Sequence, residues 1–285
     1  MLPMTFATIS VRSTSCVFRA IMLPMTFATI QYELTEGIAR ITLNRPEKGN
    51  AINMQMAQEF MQATTAVSED SSVKVVLLAG SGANFCVGGD LGDFHERGDD
   101  LARYLKELTG YLHLGVSRLA RSHAIVVVAA RGAVAGAGMS LLCGADIAIA
   151  SRKVKIVAAY TAAGLSPDGS LTWYLPRLVG VRKATELLIT NRALNAEEAL
   201  EWGILTTVVD DENLEEEAGR VSSELAKGPS RALASTKQLI MASSGNTLET
   251  QMEMESNEIA RNAHGADARE GIAAFLGKRK PTFGK

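Results

Sequence analysis

Ile125-Val126-Val127-Val128-Ala129-Ala130-Arg131-Gly132-Ala133-Val134-Ala135-Gly136-Ala137-Gly138-Met139-Ser140-Leu141-Leu142-Cys143 passes from a run of β-branched apolar residues, through a glycine-punctuated loop, into an apolar helix start. The run Ile125 to Ala129 is short and valine-rich, so it reads as a strand buried on both faces. Gly132, Gly136 and Gly138 let the backbone turn and come close to a ligand. Beyond them Ala137 to Cys143 opens a helix. Its first amides lack intrahelical acceptors, and with the positive end of the helix dipole they are suited to negative charge.

An earlier stretch has the same order. Val73 to Ala79 is a continuous apolar strand, followed by the loop Asn84-Phe85-Cys86-Val87-Gly88-Gly89-Asp90-Leu91. Upstream, FATIQYEL and GIARITL flank Thr35-Glu36-Gly37 and predict a hairpin, and Met54 to Glu69 has helical periodicity. Asp99 to Arg121 predicts a long amphipathic helix. Downstream, Ile147 to Ala150, Val154 to Val157 and Thr206 to Val209 predict short strands, and Gly169 to Leu178 and Arg182 to Thr190 predict helices. Asn195 is placed to cap a helix ending near Trp202. The alternation argues an α/β core, and a helical region follows from about Asn213 to Lys278.

Composition narrows the function. The chain has 285 residues, 47% hydrophobic and 21% charged, enough apolar material for one large core. Lysine plus arginine number 29 and aspartate plus glutamate 31, a formal charge of −2, so no basic field points to nucleic acid. The longest apolar stretch, Ala124 to Ala130, is far below the roughly 20 residues of a membrane span. Cys16, Cys86 and Cys143 form no CxxC pair and predict neither a disulfide framework nor a zinc cluster, which fits a reducing, cytoplasmic setting. His95, His113, His123 and His264 show no metal-ligand spacing and read as solvated or satisfied side chains. No metal is expected. Residues 1–9, MLPMTFATI, recur unchanged at 22–30. Residues 1–21 therefore read as a leader or artefactual extension, and the location would be mitochondrial were they a transit peptide.

Neither glycine loop alone identifies a ligand. GxGxxG is absent because Leu141 stands where the third glycine would, GxxxxGK[ST] does not occur, and Gly138-Met139-Ser140-Leu141-Leu142 lacks the last glycine of GxSxG. The set is more telling. Asn44-Arg45-Pro46 with Asn50-Ala51, Phe85 to Leu91, Gly132 to Gly138 with Asp146, Gly164-Leu165 with Pro167-Asp168, and Phe275-Leu276 with Lys278-Arg279 follow the order and spacing of a known family. From about Ile30 to Lys280 the chain resembles the crotonase family, the enoyl-CoA hydratases and isomerases.

That resemblance implies a crotonase-like (ClpP/crotonase) spiral of ββα units over 22–212 and a helical region over 213–285 for oligomerisation and cover of coenzyme A. It implies an acyl-CoA thioester as partner, coenzyme A being part of the substrate and no separate cofactor being required, and a homotrimer or dimer of trimers. By position, the amides of Gly89 and Ala137 would hold an enolate oxygen. Val87, Gly88, Leu91 and Gly136 would line the ligand, Lys48 and Ala51 would lie near coenzyme A, and Phe275 and Lys278 would reach toward it, from a neighbouring subunit in one arrangement.

The chain departs from the hydratases at two points. Their two glutamates are matched by Ser140 and Tyr160, read either as a ligand-bonding hydroxyl and a pocket wall or as helix packing. The remaining carboxylate is Asp168, in Gly164-Leu165-Ser166-Pro167-Asp168-Gly169-Ser170, a string resembling the ring 1,2-epoxyphenylacetyl-CoA isomerases, where an aspartate is the base. Taken alone, an aspartate before glycine and serine is also a turn or cap residue. Asp90 and Asp146 read as structural supports of their loops. Trp173 either lines the acyl pocket or packs. The expectation is an isomerase with one carboxylate as general acid and base, set against a hydratase or a catalytically silent acyl-CoA binder.

Overall fold

The computed structural model describes residues 26–284. Residues 1–21, with the leader reading and Cys16, lie outside that range. Strands β1 (Ile30–Thr35) and β2 (Ile38–Leu43) form the expected antiparallel hairpin. Its two turn residues, Glu36 and Gly37, both take positive φ, 51° and 79°, as a two-residue hairpin turn demands. The strand begins later than FATIQYEL suggests, because the Ala28 and Thr29 amides donate to the Glu59 carboxylate at 3.0 and 2.8 Å.

Helix α1 (Met54–Glu69) is capped by Asn53, whose side chain accepts from the Met56 amide. It leads to β3 (Val75–Gly80), and α2 (Leu91–Glu96) and α3 (Leu101–Arg121) lead to β4 (Ile125–Ala130). Then follow β5 (Ala133–Ala135), α4 (Ala137–Cys143), β6 (Ile147–Ser151), β7 (Lys155–Val157), α5 (Leu171–Val179), α6 (Val181–Thr190), α7 (Ala196–Glu201) and β8 (Thr207–Val209). The chain ends in α8 (Leu214–Ala226), α9 (Ser230–Ser243), α10 (Leu248–Ala263) and α11 (Ala266–Leu276). Among the described residues no helix is long and apolar enough to cross a membrane.

Among the described residues the main sheet has six strands in the order β1-β2-β3-β4-β6-β8, parallel from β2 onward. A second layer is made by β5 and β7 and is extended by the isolated bridges Cys86 to Val134 and Ile156 to Leu194. Each turn of the chain leaves one strand in the main sheet and one short extended segment in the second layer, and mostly returns through a helix. This is the crotonase-like ββα spiral. Strand side chains alternate between two apolar faces. Val76, Leu78, Val126 and Val128 meet Met56, Phe60, Leu112 and Leu119 of α1 and α3, whereas Val75, Leu77, Val127 and Ile149 meet Leu214 and Ala218 of α8. Burial on both faces is why these strands read as unbroken apolar runs.

Three local readings change. The stretch after Gly89 is helical in α2, because Asp90 accepts from the Asp93 amide and caps it. Ala133 to Ala135, read as loop, is a strand held by pairing to Lys155–Val157 rather than by its own side chains. Helix α5 starts at Leu171 and not at Gly169, since Gly169 and Ser170 sit at φ 58° and 75°. The first helix of the C-terminal region, α8, covers the main sheet, and α9 is tied to the core by the buried Lys237, which reaches Asp146 at 2.9 Å and the Leu119 and Ala124 carbonyls at 2.9 and 2.8 Å.

Candidate functional site

The two glycine loops run side by side. The Cys86 amide donates to Ala133 O at 3.3 Å and the Ala135 amide to Cys86 O at 2.9 Å. The contact is so close that a Cβ on Gly138 would stand 2.2 Å from Cys86 O, and one on Gly132 would stand 2.0 Å from Ala83 O. Gly88 and Gly136, with φ 98° and 51°, touch where the loops meet: a Cβ on Gly136 would lie 3.2 Å from Gly88 Cα. Buried Asn50 braces the first loop by donating to Ser81 O and Asn84 O at 2.9 and 2.8 Å. Ile52 pairs with this loop through its amide to Gly88 O and its carbonyl to the Asp90 amide, which leaves the Gly89 N–H facing the other way. Among the described residues the amides of Gly89 and Ala137 donate to no protein acceptor.

Both residues line a cavity of about 330 Å³ whose walls include Phe94, Leu105, Leu108, Leu112 and Leu165. Asp168 lines it too, and it is the single carboxylate among the lining residues. The Tyr160 hydroxyl donates to Asp168 Oδ1 at 2.6 Å. Burial, then the charge of Asp168 and the hydrogen bond to it, push Tyr160 far above the ordinary tyrosine range, so the hydroxyl keeps its proton and donates. Ser140 Oγ lies 2.9 Å from both Tyr160 Oη and the Asp168 carbonyl. On the far side His113 Nε2 stands 3.6 Å from Asp168 Oδ2 and accepts from the Gly169 amide at 3.0 Å.

Each expected residue now has a place. Val87, Gly88, Leu91, Gly136 and Tyr160 line the cavity. Ser140 does not: it is 1% exposed and its hydroxyl is taken up by protein partners, so the reading of a ligand-bonding serine is corrected to a brace for Tyr160 and Asp168. Trp173 is likewise absent from this lining. It stacks under Arg177, whose guanidinium carbon is 3.9 Å from the ring centroid, and borders a second cavity. Lys48 is exposed on the turn before Ala51, which is buried and whose carbonyl accepts from Arg45 at 2.5 Å; neither lines the cavity. Phe275, 84% exposed, stands in the last turn of α11 and exposed Lys278 just beyond it, and neither lines this cavity within one chain.

Asp90 is structural. Desolvation works against its charge, yet the Arg45 guanidinium at 2.8 Å and the Asp93 amide hold its carboxyl below the ordinary aspartate value. Asp146 accepts from the Val126 amide at 2.7 Å and pairs with Lys237. His113 is the residue that sequence reasoning missed. Its only signal was a polar ring inside α3, and nothing in the spacing linked it to Asp168.

Comparison with known proteins gives the family. The family model for enoyl-CoA hydratase/isomerase matches residues 33–285. The chain is 38% identical over 256 residues to a 1,2-epoxyphenylacetyl-CoA isomerase of Escherichia coli K12, covering 87% of this chain and 95% of that one. It is 37% identical over 252 residues to a "Probable enoyl-CoA hydratase" of Rhodobacter capsulatus, covering 88% and 96%. An enoyl-CoA hydratase structure from Polaromonas sp. JS666 superposes with a TM-score of 0.85 at 32% identity, covering 90% of this chain and 99% of that one. With the ββα spiral, the paired glycine loops and these matches together, the chain belongs to the enoyl-CoA hydratase/isomerase family.

Proposed function

We propose that the protein is an acyl-CoA isomerase that works through a thioester enolate. The observation that carries this reading is that Asp168 is the single carboxylate lining the cavity, while buried Ser140 and hydroxyl-donating Tyr160 stand where a hydratase would have its pair of glutamates. One carboxylate can take a proton from one carbon and return it to another; isomerisation needs no net water. In this reading the Asp168 carboxylate removes an acidic proton from the acyl group, and the C–H electron pair moves into the enolate, placing negative charge on the thioester oxygen. The Gly89 and Ala137 amides, free of protein acceptors, receive that charge, each such donor contributing about 3 kcal/mol. The protonated carboxyl then reprotonates the product.

The apolar walls suit a hydrocarbon acyl or ring group. Coenzyme A enters as part of the substrate, along Val87 and Leu91 with Lys48 and Ala51 nearby. The exposure of Phe275 at the end of α11, and of Ile259 and Ile272, supports cover by another copy of the chain, as in a trimer or a dimer of trimers. The test is Asp168→Asn, assayed on β,γ-hexenoyl-CoA and on a ring-epoxide acyl-CoA. Isomerisation should fall about 100-fold or more while thioester binding persists. Full activity of that variant refutes the assignment. Fast hydration of crotonyl-CoA by the native protein would make it a hydratase, and tight binding without turnover across a thioester panel would make it a silent binder.

A further inference from the structure

Asp168 sits on a wall between two cavities. It lines the first, and the next residue, Gly169, lines a second of about 550 Å³ together with His113, Ser117, Arg121, Ser170 and Gln238. The His113 side chain is 49% exposed. A backbone N–H only donates, so the Gly169 bond makes Nε2 the unprotonated nitrogen of a neutral ring, with the ring proton on Nδ1. The same Nε2 faces Asp168 Oδ2 at 3.6 Å. These are two acceptors with no proton between them, and therefore not an ion pair in this state. The other carboxylate oxygen, Oδ1, is already held by Tyr160. Oδ2 thus has an open lone pair, and a base nitrogen that reaches the second cavity stands beyond it.

We infer that His113 is the solvent-side proton partner of Asp168, a positioning and relay residue that acts through the carboxylate. The inference rests on Asp168 being the base. Once the carboxylate holds the proton taken from the acyl carbon, the Oδ2–H bond breaks and a bond forms to Nε2, with the Gly169 N–H giving way. The carboxylate is restored and the ring becomes imidazolium. The imidazolium then turns its Nε2–H toward the second cavity, exchanges that proton for one from water there, and returns a solvent proton to Oδ2. No electron transfer or further reactant is involved. The consequence is specific: the proton delivered to the product comes from solvent and not from the substrate.

The experiment is isomerisation of β,γ-hexenoyl-CoA in heavy water, with deuterium in the product counted by mass spectrometry. α-Proton exchange of hexanoyl-CoA, followed by NMR, is a second readout. The native protein should place solvent deuterium in the product in most turnovers. His113→Gln puts an amide oxygen where Nε2 was, which still accepts from Gly169 but cannot carry a proton. It should lower deuterium incorporation per turnover on the order of tenfold while leaving KM near native. Added imidazole should restore incorporation in His113→Ala. Native product that keeps the substrate's own hydrogen overturns the relay without any variant, as does native incorporation by His113→Gln. If Asp168→Asn is inactive while His113→Gln incorporates normally, only the relay fails. If Asp168→Asn turns over normally, or the native protein shows neither turnover nor exchange, the isomerase reading falls and takes the relay with it.

Discussion

Gly138→Ala puts one methyl group between the two loops. Its Cβ would stand 2.2 Å from Cys86 O, 2.9 Å from Cys86 Cβ and 3.0 Å from Cys86 C. A carbon–oxygen contact settles near ~3.3 Å, so the loops must separate by about 1 Å at this point. Cys86 cannot turn aside, because its amide and carbonyl are both bonded to the opposite strand segment at Ala133 and Ala135. The displacement therefore goes into the spacing of the chain segments that carry the Gly89 and Ala137 amides. An error of about 1 Å in a reacting geometry costs about 100-fold in rate, which corresponds to about 2.7 kcal/mol. Overpacking adds about 1–3 kcal/mol of lost stability. Steady-state kinetics on the thioester substrate should show kcat falling about 100-fold with a smaller change in KM, and calorimetry should show a lower melting temperature. Native kcat together with a native melting temperature would show that the loops are not in backbone contact here, and the two-amide site would lose its structural basis.

Tyr160→Phe removes the donor to Asp168 Oδ1, a charge-assisted bond of about 1.5–3 kcal/mol. We expect kcat to fall by about 10- to 100-fold with KM near native, checked by the same kinetics. Glu59 has a depressed carboxyl despite its desolvation, because Thr29, Ala28 and Gln55 all donate to it. The unfolded state therefore takes up this proton first as pH drops below about 4.5, and the contribution, present above that value, is lost as pH falls through the lower folded value. Glu59→Gln should flatten the acid limb of stability measured by urea unfolding between pH 5 and 3. Gly219 lies inside α8 with nothing within 4 Å of a built Cβ, so Gly219→Ala should stabilise the fold by about 0.5–1 kcal/mol in the same measurement and leave kcat unchanged.

The sequence displayed what the core demands and little of what the site does. β3 and β4 were legible because burial on both faces leaves no polar position, and the glycines at 88, 132, 136 and 138 because backbone contact tolerates no side chain. β5 was not legible. Its alanines carry no strand signal, and pairing with β7 comes from the spiral itself. Helix α2 escaped notice because it is six residues long and its cap, Asp90, looked like part of the glycine motif. At the site, Asp168 stood out through the resemblance of its surrounding string to the ring 1,2-epoxyphenylacetyl-CoA isomerases. The neighbour that completes it, His113, comes from 55 residues earlier, a proximity created where α3 passes the loop that carries Asp168 and Gly169.

The placement of charge around Asp168 bears on the chemistry more directly than its presence. A carboxylate at position 140 would be buried almost completely and would lie beside Tyr160 and the Asp168 main chain, so two like charges would share a site with no cation among the lining groups but Lys106. Serine and tyrosine there supply protons to Asp168 and its backbone and add no charge, which leaves the cavity with one carboxylate. The backbone around that carboxylate takes uncommon angles. Ala159 and Ser170, both non-glycine, take φ 61° and 75°, and they bracket Tyr160 and Asp168. Such conformations cost about 1–3 kcal/mol each and persist only where the surroundings over-determine them. Here the Gly169 bond to His113, the Ser140 bond to the Asp168 carbonyl and the fully buried Leu171 fix the far end of the segment. The φ of Ser170 is accounted for by the turn in which the Asp168 carbonyl accepts from the Leu171 amide at 3.2 Å, whereas the bonds from Ser140 and to His113 are additional to that turn. Bonds from buried hydroxyls and to a ring nitrogen, gathered on one short turn, are what keeping the position of one carboxylate would require.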